Sequence, residues 1–193
     1  MNLINKFQFL YKNEIIRRYV VINSFDGILT TLGIILAGFF VEIADPKLVI
    51  LPAVGAAIAM LVSGVWGAYS AEISEVVRKR GELEKHLLVK IGKAKTSKQR
   101  ERMAGIVGVV NGLSSFIVSI LILIPFFLVP FNIISMALAY YLAFGFIGVM
   151  LFLLGVFNGV TAKESLIKNG VKMLLAGLVI GVIFFILAKF GFI

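Results

Sequence analysis

The apolar residues of this 193-residue chain are gathered into runs long enough to cross a bilayer, which excludes an ordinary water-soluble domain. With 60% hydrophobic residues and a mean hydropathy of +1.04, little is left over to cover a soluble surface. The runs predict five membrane helices: about Tyr19 to Val41, from near Leu48, about Ala104 to Val129, about Ile133 to Phe157, and a last one ending near Ala188. The first run is too long for a signal-peptide core and no small-residue cleavage site stands out behind it, so it is read as a retained helix. The expected fold class is all-α, a polytopic membrane protein with five transmembrane helices. No strong breaker interrupts the second helix from Glu72 to Arg80, so it is expected to extend into the cytoplasm.

Charge sets the expected orientation. Five spans place residues 1–18, the 72–103 segment and the Asn158 to Lys172 connection on one face, and these hold four, ten and three of the nineteen Lys and Arg. Only Lys47 and Lys189 fall on the other face, so the basic side, with the amino terminus, is expected to be cytoplasmic. Four or six spans would scatter these charges. The resulting organisation is a cytoplasmic amphipathic segment (1–18), helices one and two (19–71), a short cytoplasmic helical segment turning near Gly92 to Ser97 (72–103), and helices three to five (104–193). Residues 1–18 also read as a basic flank that only orients helix one. Compact size and the lack of a targeting segment favour a prokaryotic plasma membrane.

The candidate chemistry is sparse. The absence of cysteine removes disulfides, thiolate metal sites and cysteine nucleophiles. There is no Walker-type loop, no nucleophile elbow and a single histidine, so no enzyme activity is expected. The basic residues lie at membrane flanks, so no nucleic-acid partner is expected either.

Asp26 is the only acid inside a long apolar run. A carboxylate at that depth costs about 2.5 to 3.5 kcal/mol on insertion scales, which makes it a functional candidate. Helical spacing puts Asp26, Thr30, Gly33 and Ala37 on one face, suited to a packed interface or a wet path rather than lipid. The competing reading is a hydrogen-bonded carboxyl that pins two helices together.

On helix two, Gly55, Ala59, Ser63, Gly67 and Ala71 form one small-residue stripe, and Ala56, Met60, Gly64 and Ala68 the next. Glu72 and Glu75 share a helical face where this helix emerges, and Lys79, Glu82 and His86 extend it. Carboxylates with one imidazole suit Mn²⁺ or Fe²⁺, and a thioether at Met60 would help a borderline cation shed water. The competing readings are a solvated face of intrahelical ion pairs for the acids and packing filler for Met60.

Asp26-Gly27-Ile28-Leu29-Thr30-Thr31 with Gly33 resembles the first-helix signature of the vacuolar iron transporter family. Ser63 to Ser70, then Glu72 and Glu75, is similar to that family's second helix and its cytoplasmic extension. The resemblance extends loosely through Phe116 to Pro125 and from Leu154 to Gly181. It implies a homodimer of five-helix protomers in which paired first helices line a path for Fe²⁺ or Mn²⁺ exchanged against protons. By that analogy Asp26 is the intramembrane carboxylate, and Glu72 and Glu75 match the first cytoplasmic glutamate pair. The family's mid-helix methionine falls on Gly64, leaving Met60 one turn away; its second glutamate pair falls near Leu83 and His86, with Glu82 and Glu84 adjacent. The cytoplasmic segment is short, with Glu101 and Met103 at its return.

The expected function is a proton-coupled Fe²⁺/Mn²⁺ transporter that removes metal from the cytoplasm, with the metal as substrate and no resident cofactor. The alternative is a non-transporting membrane scaffold or partner-binding protein with a basic cytoplasmic surface.

Overall fold

A computed structural model describes residues 14–87 and 95–191. Most of the segment expected over residues 1–18, and part of the turn expected near Gly92 to Ser97, lie outside them. The described chain is all-helical, with five helices long and apolar enough to cross a membrane. They are α1 (Glu14–Phe40), α2 (Pro46–Leu87), α3 (Lys95–Leu128), α4 (Met136–Ala162) and α5 (Leu166–Lys189). Apolar side chains cover the outside of the bundle: Leu51, Val62, Leu178 and Phe185 are all more than half exposed. A surface of that kind is stable against hydrocarbon, and the protein is a multi-pass membrane protein.

The helices pair through small residues. On α3, a Cβ at Gly108 would lie 2.6 Å from the Val65 carbonyl oxygen, and one at Gly112 would strike that of Leu61, so α2 and α3 meet backbone to backbone. On α4, Gly155 abuts the Asn169 backbone in the same way, while Gly170 of α5 receives the Phe152 ring. The antiparallel pairs α2–α3 and α4–α5 are joined by contact between α3 and α4. α1 packs against all four other helices, most extensively α3.

Two boundaries differ from expectation. The connection expected over Asn158 to Lys172 shrinks to three residues between α4 and α5, with Lys163 at φ 56° closing α4 and Ser165 at the N-cap of α5. Polar residues mislead here because a helix can leave the hydrocarbon without ending; Thr161 stays helical, donating its hydroxyl to the Phe157 carbonyl at 3.1 Å. α1, for its part, already includes Glu14, so Arg17 and Arg18 belong to it rather than to a separate surface segment.

α2 has 42 residues and is roughly 63 Å long, about twice the hydrocarbon thickness. It passes through Gly81 without a break and projects beyond the membrane on its Glu72 side. Trp66 and Tyr69, both exposed, sit one to two turns before Glu72, a spacing that suits an aromatic belt at a membrane surface. The opposite end is closed by aromatic packing: Phe126 and Phe39 stand edge-on to Tyr140, whose hydroxyl donates to the Ile43 carbonyl at 3.2 Å.

Candidate functional site

Two apolar clusters fill the interior. The larger includes Ile28, Leu32, Ile35, Ile122, Leu123 and Phe126. The smaller, Ile16, Ala68 and Val107, lies near the basic end. Between them α1, α2 and α3 are joined by a polar layer. Asn23 Nδ2 donates to the Asn111 carbonyl at 3.0 Å, and Asn111 Nδ2 donates to the Gly64 carbonyl at 2.9 Å. One turn further in, the Gly27 carbonyl accepts from Thr31 Oγ1 at 2.8 Å and from Ser119 Oγ of α3 at 3.2 Å. Asn111 is 6% exposed, and its Oδ1 is buried without a hydrogen-bond partner among the described residues. Asn111 does not stand out from the sequence as a functional residue, although an asparagine inside the third apolar run is visible there.

This layer fixes the rotation of α1. A Cβ at Gly27 would lie 2.8 Å from the Ser115 carbonyl oxygen, so Gly27 faces α3 at the closest approach the backbones permit. With Gly27, Ile28 and Thr31 turned inward, Ile22, Asp26 and Thr30 are turned outward and exposed. Asp26 therefore sits at membrane depth on a face of α1 left bare by the described chain, and its carboxylate has no hydrogen bond or ion pair among the described residues. The reading of Asp26 as a pin between helices of one protomer does not fit this placement. Gly33, on the same side, has open space where a Cβ would be.

The two stripes of α2 part in the same manner. Gly64 and Ala68, with Met60 half-buried on their stripe, turn toward the bundle, whereas Gly55, Ala59, Ser63, Gly67 and Ala71 are exposed. Added Cβ atoms at Gly55 and Gly67 would meet nothing within 4 Å.

The acids at the emerging end of α2 do not converge within the protomer. Glu72 is half-buried and close enough to the Tyr19 hydroxyl of α1 to interact with it electrostatically. Glu75 turns instead to Arg78, through contacts of 2.7 and 2.9 Å, and to Lys79 at 3.3 Å. The other side of Arg78 holds Glu82 at 2.7 Å, and His86 is exposed. Among the described residues no three His, Asp or Glu side chains are grouped as a metal site. Asp26 lies seven residues along α1 from Tyr19, which separates it from the Glu72 contact by about 10 Å along the axis.

The Arg78 hydrogen bonds, assisted by Lys79, lower the Glu75 carboxyl from 4.5 to about 2. Whatever this exposed pairing adds to stability is present above the ordinary carboxylate range and is lost as pH falls from there through about 2. A ¹³C-carboxylate NMR titration is expected to find Glu75 still ionised at pH 4, and Arg78→Gln to return its midpoint toward 4.5. An ordinary midpoint in the unsubstituted protein would show that the pairing does not persist in solution.

No family model matches the chain, and no solved structure matches it. Over 175 residues it is 35% identical to uncharacterized protein MJ0645 of Methanocaldococcus jannaschii, an alignment covering 89% of this chain and 88% of that one.

Proposed function

The chain belongs to the same family as uncharacterized protein MJ0645 of Methanocaldococcus jannaschii, and we propose that it is a proton-coupled transporter of Fe²⁺ or Mn²⁺ acting as a homodimer. The observation that carries this reading is the position of Asp26, an uncompensated carboxylate at membrane depth on a bare face of α1. Such a group is costly against lipid, and a second copy apposing the same face would enclose it between two first helices. The exposed small-residue stripe of α2 favours such close apposition. The resemblance of Asp26 to Gly33 and of Ser63 to Glu75 to the vacuolar iron transporter family supplies the substrate class.

In this reading the basic face, expected to hold seventeen of the nineteen Lys and Arg, is cytoplasmic, and the membrane is a prokaryotic plasma membrane. Glu72, near Tyr19, meets the cation where α2 leaves the membrane, and Asp26 takes it roughly 10 Å further in. Asp26 binds either a proton or the metal at full strength, so occupancy by one expels the other and couples the two movements. The chain has no enzymatic role. Glu75 and Glu82 favour the second reading, a membrane scaffold, because their partners are Arg78 and Lys79 rather than a shared cation site.

The experiment is metal-dependent quenching of an entrapped dye in reconstituted vesicles with Fe²⁺, Mn²⁺, Mg²⁺ and Ca²⁺ compared. Quenching by Fe²⁺ or Mn²⁺ with counter-movement of protons is the expected result; no response to any of the four would leave the scaffold reading standing.

A further inference from the structure

A cleft of about 480 Å³ opens between α1, α4 and α5 at the basic end of the bundle. Its upper wall carries Glu14, Arg17 and Arg18 of α1 and Asn158 and Thr161 of α4; its lower wall is Val21, Ile22 and Met173. We propose that this cleft binds the headgroup of an anionic phospholipid, with its phosphodiester against Arg17 and Arg18 and an acyl chain running down the Val21, Ile22 and Met173 wall.

Three features select this occupant. Two guanidiniums against one carboxylate leave the walls net positive, and guanidinium forks match the oxygens of a phosphodiester. The Arg18 guanidinium carbon lies 6.0 Å from the centre of the Tyr19 ring, at the edge of cation–π range. Glu14 and Thr161 then separate a headgroup from a bare anion. Thr161 spends its proton on the Phe157 carbonyl, so its hydroxyl oxygen can only accept, as can the Glu14 carboxylate. A glycerol-type headgroup offers hydroxyl donors to both while its phosphate meets the arginines. Inorganic phosphate could reach the Glu14 carboxylate only through a P–OH on an anion that the carboxylate repels, and it has no apolar part to place on the lower wall.

The apolar lower wall points to a lipid rather than a soluble phosphate ester, because it belongs to the membrane-spanning parts of α1 and α5 and is continuous with the hydrocarbon. Segment 1–13 does not supply the anion, since it carries Lys6 and Lys12 and no acid. Ile22 is one helical turn from Asp26 on the same exposed stripe of α1, so a bound phosphate would lie at the basic-side edge of the Asp26 face.

Native mass spectrometry of the full-length protein in detergent, with equal phosphatidylglycerol, phosphatidylethanolamine and phosphatidylcholine, tests this. Phosphatidylglycerol is expected to be retained at least fivefold over the other two. R17Q/R18Q is expected to reduce it to their level, while K47Q/K189Q, on the opposite face, keeps the preference. Equal retention of the three lipids, or full displacement of phosphatidylglycerol by millimolar inorganic phosphate or glycerol phosphate, would overturn the lipid site. Should R17Q/R18Q fail to fold, R18Q at an exposed position carries the test; unchanged preference in R18Q then refutes the assignment.

Discussion

Asp26→Asn, reconstituted into vesicles, is expected to lower metal-dependent quenching and coupled proton movement to the rate of protein-free vesicles while the protein elutes and melts as the unsubstituted form does. The two halves of this result have separate physical origins. Transport fails because an amide neither carries the negative charge that holds a divalent cation nor exchanges a proton in the accessible pH range. Folding survives because the Asp26 carboxylate has no bond to lose among the described residues and faces outward, away from both apolar clusters. Asp26→Glu, which keeps the charge but moves it by one methylene, should retain part of the activity. Unsubstituted rates in Asp26→Asn would refute the transport mechanism at its centre. A variant that loses transport and also fails to fold would instead make Asp26 a structural residue, a role its placement in the protomer does not support.

How much of this was legible beforehand differs from element to element. The five spans were, because hydrophobic runs of bilayer length have few alternatives, and so was the projection of α2, where nothing between Glu72 and Arg80 breaks a helix. Asp26 stood out through the cost of burying a carboxylate. Which way it faces was not legible, because that depends on the contact between Gly27 and Ser115, 88 residues apart in the chain. The same limit applies to α2: its two small-residue stripes look alike in sequence, and only the close approach of Gly108 and Gly112 selects the Gly64 and Ala68 stripe to turn inward. The ion pairs of Glu75 with Arg78 and Lys79 follow from three- and four-residue spacing and were foreseeable as the bland reading of that acidic face. The cleft beside Arg17 is not legible in the sequence because Asn158 and Thr161 have the polar character of a loop, whereas they lie on α4.

Gly64 is where the likeness to the vacuolar iron transporter family meets this protein's own packing, and Gly64→Met is expected to destabilise the fold rather than complete a metal site. A Cβ at residue 64 would lie 2.9 Å from the Gly112 Cα and 3.0 Å from Asn23 Nδ2. The first of these atoms is backbone and cannot swing aside, so α2 must move off α3. That movement strains the bond from Asn111 Nδ2 to the Gly64 carbonyl and exposes the neighbouring bond from Asn23. Overpacking of this kind costs about 1–3 kcal/mol, and each interhelical hydrogen bond lost in a membrane adds roughly 0.6 kcal/mol. A lowered thermal midpoint by size-exclusion chromatography is the expected result, with Gly64→Ala falling between it and the unsubstituted protein. Gly67→Met is the matched control, because the space beside Gly67 is open in the protomer and the protomer's midpoint should hold. If that same control dissociates a dimer, the outward stripe of α2 is the surface on which two copies meet. Should Gly64→Met melt with the unsubstituted protein, the close contact of α2 with α3 is not what keeps a methionine from that position.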